Sequence, residues 1–404
     1  MNNHYDVIIV GGGMVGSTLA VALAEHASLS IAVIEANVPQ RILESEQPDL
    51  RVSALTQASE ALFKNLSIWQ QLIPSRISPF TDMTVWETQA STLHFDSAEV
   101  GEPLLGYIVE NRHLQQACIA RCQQLKAITF ISPAVPESRS GNTITLEDGR
   151  ELTADLIVGA DGARSLLRDW AGIKTHGWDY DQTAVVCTVK TELPHKKTAR
   201  QRFMHEGPLA FLPLADPHQS SIVWSNSTEE AELLCQLDDE QFKATLAKAF
   251  EHRLGDITKL SERASFPLKL RHADHYVETG FALVGDAAHT IHPLAGQGVN
   301  IGLLDAATLA EIIIDAHSKG RNIGSLHTLN KYQRRRKADN LAMQMTMDAF
   351  KRVFGSEAAP VRWLRRYGLQ TVNQNSLLRK LFIQQASGHR FANPKLTKPN
   401  EFVH

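Results

Sequence analysis

Tyr5-Asp-Val-Ile-Ile-Val-Gly-Gly-Gly-Met-Val-Gly16 is the stretch whose reading decides the fold. Its apolar run Val7 to Val10 reads as a buried parallel strand that stops at a glycine turn. A helix is expected next, with Val15, Leu19 and Leu23 on its buried face. Gly11, Gly13 and Gly16 fit the spacing G-x-G-x-x-G: the first makes a tight turn, the second lets backbone approach a pyrophosphate, and the third lets helix and strand pack closely. Phosphate would then meet the N–H groups at the positive end of the helix. A second strand, Ile31 to Ile34, ends at Glu35, about 20 residues past the last glycine, where a carboxylate accepts hydrogen bonds from an adenosine ribose. This is the pattern of a dinucleotide site; NAD and FAD both satisfy it, and a glycine turn without ligand is the bland alternative.

Two later segments resemble further walls of the same site. Leu156-Ile-Val-Gly-Ala-Asp161-Gly162 is another buried strand stopping at a glycine, which puts Asp161 at the carboxyl end of a parallel strand, where open α/β sheets bind ligands. An ordinary strand-to-helix turn with Asp161 as N-cap is the competing reading. Phe281-Ala-Leu-Val-Gly285-Asp286 begins as a strand, passes through His289, His292 and Pro293, and enters a helix near Gly296, Gly298 and Asn300. Asp286 can hydrogen-bond sugar-alcohol hydroxyls, and the helix start can stabilise negative charge on a reduced flavin ring. Contacts drawn from both ends of the chain point to a flavin lying extended through the domain.

The three segments resemble the motifs of the flavin monooxygenases typified by para-hydroxybenzoate hydroxylase. The run His292-Pro-Leu-Ala-Gly-Gln-Gly-Val-Asn-Ile-Gly-Leu-Leu-Asp305 resembles the signature of the aerobic ubiquinone-biosynthesis hydroxylases. Leu50-Arg-Val-Ser-Ala-Leu55, Ile108-Val-Glu-Asn-Arg112, Phe211-Leu-Pro-Leu-Ala-Asp-Pro-His218 and Ser221-Ile-Val-Trp224 are similar to the branch acting on ring carbon 5 of a 2-polyprenylphenol. The resemblance implies FAD, held without a covalent bond, and NAD(P)H as reductant. It assigns Gly11, Gly13 and Gly16 to the pyrophosphate and Glu35 to the ribose. Arg51 and Arg112 would clamp phosphate or the isoalloxazine edge, with a surface salt bridge as the alternative. Asp161 would lie near the pyrophosphate where the nicotinamide approaches, Asp286 would hold the ribityl chain, Pro293 would wall the reactive ring edge, and Gly298, Val299 and Asn300 would meet the pyrimidine carbonyls.

The implied architecture is an α/β, Rossmann-like FAD-binding domain interleaved with a mainly antiparallel β-sheet substrate domain and C-terminal helices. Residues 1–72, 108–178 and 276–330 are expected to form the FAD domain, and 73–107 and 179–275 the sheet domain. Residues 331–390 would be a basic helical region and 391–404 a frayed tail. In the sheet domain, Val185 to Lys190, Gln201 to His205, Leu209 to Leu214 and Ser221 to Ser225 read as strands, and Asp239 to His252 as a helix. Residues 331–390 carry 13 Lys and Arg against 3 Asp and Glu, including Arg334-Arg-Arg-Lys337. Such a region can lie on an anionic membrane, dock on an acidic partner or pathway complex, or pack on the flavin domain.

Composition excludes several classes. The 404 residues carry a formal charge of -3, which gives no nucleic-acid signature. No secretory signal or uninterrupted 18-residue apolar run is read. Cys118, Cys122, Cys187 and Cys235 form no C-x-x-C pair and no metal pattern, so a cytoplasmic setting is expected, peripheral to the inner membrane if the basic region binds lipid. G-x-S-x-G and H-E-x-x-H are absent. The resemblance implies oxygen activation at flavin C4a and attack on a polyprenylated phenol in a water-excluding pocket. A hydroxylase of another ring position in the same pathway, a flavin reductase or dehydrogenase of isoprenoid lipids, and a non-enzymatic flavin-holding assembly subunit are the alternatives. No general base is identified: His289 and His292 flank the loop but can equally shape it, and His205, His218 and Arg202 are weaker candidates.

Overall fold

The computed structural model describes residues 3–44, 46–88, 92–290, 298–355 and 393–398. The described residues form the α-helices α1 (Met14–His26), α2 (Gln57–Asn65), α3 (Asn111–Gln124), α4 (Leu166–Trp170), α5 (Thr228–Gln236), α6 (Asp239–Ala249), α7 (Gly298–Ser318) and α8 (Leu326–Gly355).

The apolar run after Tyr5 becomes the strand His4–Val10, flanked in parallel by Ile31–Ile34 and Glu151–Gly159. Ile128–Ile131 and Phe281–Leu283 extend the parallel sheet at its two sides. Its strands are near-continuous Val, Ile and Leu because helices cover both faces. α1 packs against α3 and α7, so Gly16 through Leu23 are buried without interruption. The single apolar stripe expected of this helix is therefore replaced by burial all round. Val15 is only half-buried, and its methyls lie under Gly285 and Gly302.

The second sheet is antiparallel except where Thr198–Phe203 pairs with Asp82–Trp86. Its long strands are Thr175–Thr191, Gln219–Ser227 and Ala264–Ala273, whose successive side chains point to opposite faces. Val185, Cys187, Phe211, Ile222 and Trp224 face α5 and α6, where Leu234, Phe242, Leu246 and Phe250 complete a core. α6 begins where the sequence places it, because Asp238 accepts the Gln241 N–H at 2.8 Å. Ala210, Leu212 and Val223 turn the other way, toward a three-stranded sheet of Val52–Thr56, Gly106–Glu110 and Ser78–Phe80. The segments interleave: His289–Thr290, from the third wall, pairs with His272 and Arg271 of the antiparallel sheet.

Two features differ from expectation. The tail does not fray throughout, since Asn65 of α2 donates to Leu396 O and Lys398 O, both at 2.8 Å, and Thr397 is buried. Of the basic run Arg334 to Lys337, Arg336 is buried and Lys337 donates to Asp274 O, so this stretch is partly core, its guanidinium and ammonium directed at protein acceptors. Residues 356–390, the rest of the basic region, lie outside the described residues. No helix among those described is long and apolar enough to cross a membrane.

A buried ion pair that sequence reading missed fixes the loop before Arg51. Arg76 donates to Glu110 through Nε at 2.9 Å and Nη2 at 2.7 Å, and to the carbonyls of Leu43 at 3.1 Å and Glu46 at 2.9 Å. Glu110 also accepts the Asp49 N–H at 2.7 Å. Removing one member strands the other without water, whereas removing both does not. Arg76→Met is therefore expected to lower unfolding stability by about 3–5 kcal/mol in urea titration, and Arg76→Met with Glu110→Met to recover most of that loss.

Candidate functional site

Pairing register brings the three walls level. Val10 lies opposite Gly159, and Gly159 opposite Leu283, so Gly11, Ala160–Asp161 and Val284–Asp286 leave the sheet at one edge. Gly11 has φ +107°, and a Cβ there would stand 2.3 Å from Ala160 O, an approach only glycine permits. A Cβ on Gly16 would stand 2.0 Å from Gly11 O, which is how α1 comes down onto the strand end. Gly13 differs: its Cβ would meet nothing within 4 Å, and as N-cap of α1 it supplies no side-chain bond. No side chain caps the first-turn N–H groups of α1, which suits a phosphate there.

The carboxylates are held around this opening. Glu35 accepts the Gly12 N–H at 2.7 Å on Oε2 and the Asn37 N–H at 2.9 Å on Oε1. Each oxygen keeps a lone pair for a further donor, such as a ribose hydroxyl. Asp161 accepts the Leu167 N–H at 3.2 Å on Oδ2, while its buried Oδ1 has no partner. Burial pushes its carboxyl up, against the pull of Ser165 and the α4 N–H groups. The N-cap of α4 is Ser165, which accepts the Arg168 N–H at 3.0 Å. Asp286 is solvent-accessible, yet enclosure by protein raises its carboxyl above the ordinary value, opposed by His289 and Arg51. With Gly11 and Asp161 it borders the sheet edge where a cofactor cleft is expected. Arg51 lies over the exposed ring of Phe266, on the antiparallel sheet, at 5.4 Å.

The remaining predicted residues divide. Arg112 pairs with Glu46 at 2.8 Å and approaches Asp49 at 3.6 Å, which is the salt-bridge alternative, although its buried Nε makes no hydrogen bond. Gly298 and Val299 open α7, with open space at the Gly298 Cβ position. The Asn300 side chain turns away from the cleft's ligand side: it donates to Ala54 O at 2.8 Å and accepts from Ser59 Oγ at 2.7 Å and Thr56 N at 3.1 Å. It moors α7 to α2 and the Val52–Thr56 strand, which leaves ring contacts at this position to the main chain. Pro293, with His292 and Gly296, lies outside the described residues. Arg202 pairs with Glu251 at 3.0 Å beside α6, and His218 bonds Thr191 O at 3.0 Å, so neither joins the cleft.

His289 is buried and bonds Asp305 at 2.5 Å. Asp305 also accepts from Gly285 N at 3.1 Å and Arg336 Nε at 2.7 Å. Burial alone would raise this carboxyl, but His289 and Arg336 outweigh it and bring it down to about 2. The signal was present in the sequence: a carboxylate inside the apolar helix stretch Ile301 to Ala310 must have a partner.

Residues 4–348 match the FAD binding domain family. The 3-demethoxyubiquinol 3-hydroxylase of Escherichia coli is 40% identical over 394 residues, 96% of this chain and 99% of that one. Ubiquinone hydroxylase UbiL of Rhodospirillum rubrum is 40% identical over 95% of this chain and 89% of its own, and the human mitochondrial ubiquinone biosynthesis monooxygenase COQ6 is 35% identical over 95% and 92%. Among solved structures, p-nitrophenol 4-monooxygenase PnpA of Pseudomonas putida superposes with a TM-score of 0.77 at 18% identity, over 97% of this chain and all of that one. PqsL, a probable FAD-dependent monooxygenase of Pseudomonas aeruginosa, does so at 0.74 with 20% identity, over 91% of this chain and all of its own.

Two measurements follow from this geometry. Gly16→Ala drives a Cβ into backbone and should destabilise the apoprotein by about 1–3 kcal/mol in thermal unfolding, whereas Gly13→Ala should spare apoprotein stability and weaken FAD binding. Because the Asp305 carboxyl is lowered from 3.8 to about 2, its contribution is complete above roughly pH 4 and lost as pH falls toward 2. Wild type should therefore lose about 2 kcal/mol more than Asp305→Asn between pH 4 and pH 2 in urea titrations.

Proposed function

We propose, for a chain that belongs to the FAD binding domain family together with the ubiquinone-biosynthesis hydroxylases and is an FAD-dependent monooxygenase, that it hydroxylates the ring of a polyprenylated phenol in ubiquinone biosynthesis. The observation that carries this reading is the convergence of Gly11, Asp161 and Asp286 at one edge of the parallel sheet, in a chain with full-length likeness to those hydroxylases. FAD bound there supplies electron transfer from NAD(P)H to dioxygen.

The chain's own groups would hold and shield it. Gly11, Gly13 and Gly16 let the uncapped α1 N-terminus meet the pyrophosphate, and Glu35 takes the ribose. The orphaned Asp161 Oδ1 fits a donor on the cofactor or on the approaching nicotinamide. Asp286 holds the ribityl hydroxyls, and the start of α7, at Gly298, Val299 and the Asn300 main chain, stabilises negative charge on the pyrimidine end. Arg51, Arg112 and Pro293 complete the proposed set, with Arg112 exchanging Glu46 for the cofactor. The antiparallel sheet roofs the ring and keeps water out. An isoprenoid tail buried in apolar surface adds about 0.8 kcal/mol per CH₂, and the basic C-terminal region favours delivery from an anionic membrane surface.

The motif resemblance favours ring carbon 5 of a 2-polyprenylphenol. A second position is favoured by the 40% identity with 3-demethoxyubiquinol 3-hydroxylase. Mass spectrometry of the quinone intermediate that accumulates in a deletion strain separates the two, since the stalled compound lacks the oxygen this chain installs. With ¹⁸O₂, purified protein, NADH or NADPH and a detergent-dispersed phenol, the product should carry one labelled ring oxygen. An unlabelled product means a reductase or dehydrogenase, and no phenol-dependent NAD(P)H oxidation means an assembly subunit. Asp286→Ala should purify with little flavin.

A further inference from the structure

Asp305, within α7, ties the Gly285–Asp286 turn to α8, and its partner Arg336 reaches back to the first turn of α7. Its Oδ2 accepts from Gly285 N at 3.1 Å, next to Asp286, and from His289 Nε2 at 2.5 Å. Its Oδ1 accepts from Arg336 Nε at 2.7 Å and from Asn340 Nδ2 at 3.3 Å, both on α8. Arg336 reaches on to Asn340 Oδ1 at 2.7 Å, to Asp339 at 2.6 Å, and to the carbonyl of Ile301 in the first turn of α7 at 3.5 Å. Tyr276 receives an N–H of Asn340 at 3.4 Å, and Tyr332 donates to Leu283 O at 2.7 Å, where the third wall's strand ends. Asp305 is fully buried and Arg336 is 4% exposed, so water screens neither charge.

Such a cluster exceeds what packing needs. Apolar residues of similar volume hold helices together as well as a buried ion pair does, often better. The cluster instead places one fixed negative and one fixed positive charge behind the turn and helix start against which a flavin would lie. Reduction puts negative charge on the ring near N1 and the C2 carbonyl. A carboxylate nearby disfavours that change, and a guanidinium nearby favours it.

We propose that Asp305 and Arg336 are positioning residues of the flavin site, tying the Gly285–Asp286 turn to the first turn of α7 and setting, through the balance of their charges, how readily the flavin is reduced. This rests on the reading that places FAD against Asp286 and the start of α7. The groups facing the pair are His289 and Asp286 from the third wall, Tyr276 beside it, and Tyr332, Asp339 and Asn340 from α8.

The test is the midpoint potential of the bound flavin at pH 7 and the FAD dissociation constant, measured on the full-length holoprotein. Asp305→Asn should raise the potential and Arg336→Met should lower it, Arg336→Lys should stay near wild type, and Asp305→Asn and Arg336→Met should each loosen FAD by about tenfold. A purely structural role gives shifts of one sign in both variants, or none, and either result overturns the coupling. Should Arg336→Met fail to fold, Arg336→Gln replaces it, and an unchanged or lower potential in Asp305→Asn suffices to overturn the proposal. Asp286→Ala is the control: loss of flavin supports the underlying placement, whereas full retention overturns that placement and the coupling with it.

Discussion

Parallel register is the constraint from which the rest follows. Because Val10, Gly159 and Leu283 pair level across three strands, the segments that leave them emerge side by side although they are separated by well over a hundred residues of chain. Backbone can then crowd together only where side chains are missing, at Gly11 over Ala160 and at Gly16 over Gly11. A shift of one strand would take Asp161 or Asp286 away from the glycine turn, and the acids and the uncapped α1 terminus would no longer face one space. The positions where close approach is needed and the position where space is left open are different glycines in the same short motif, which is why the spacing reads so clearly.

The cleft's roof depends on a second constraint. The antiparallel sheet has one face filled by α5 and α6, and its other face packs toward the Val52–Thr56 strand and its neighbours. Pairing of His289–Thr290 with that sheet and of Asn300 with Ala54 and Thr56 ties roof, floor and helix start into one assembly. The antiparallel sheet is thereby built from chain that interleaves with the parallel-sheet segments instead of following them.

Legibility in the sequence tracked locality. The Val7–Gly16 turn, the strand ending at Glu35, the alternating strands near Val185 and Ser221 and the α6 cap at Asp238 are decided by neighbours a few residues away, and the structure has them where the pattern puts them. What could not be read depends on partners distant in sequence. Nothing near Arg76 announces Glu110, and nothing near Arg336 separates it from Arg334 and Arg335, since a basic run looks the same whether one member is buried or none is. Asn300 fits a ligand-facing motif, yet its amide is committed to backbone on another strand. Asp305 was visible as a carboxylate in an apolar stretch, but its need for a counter-charge did not name His289 or Arg336. The docking of residues 393–398 on α2 is likewise invisible in their polar composition.

Convergence of the three walls around one flavin is tested most directly by calorimetric titration of the flavin-stripped protein with FAD. It predicts saturation at one equivalent per chain, and a visible absorption spectrum perturbed from that of free FAD. A folded apoprotein that takes up no FAD, or whose bound FAD keeps the spectrum of the free cofactor, would contradict it.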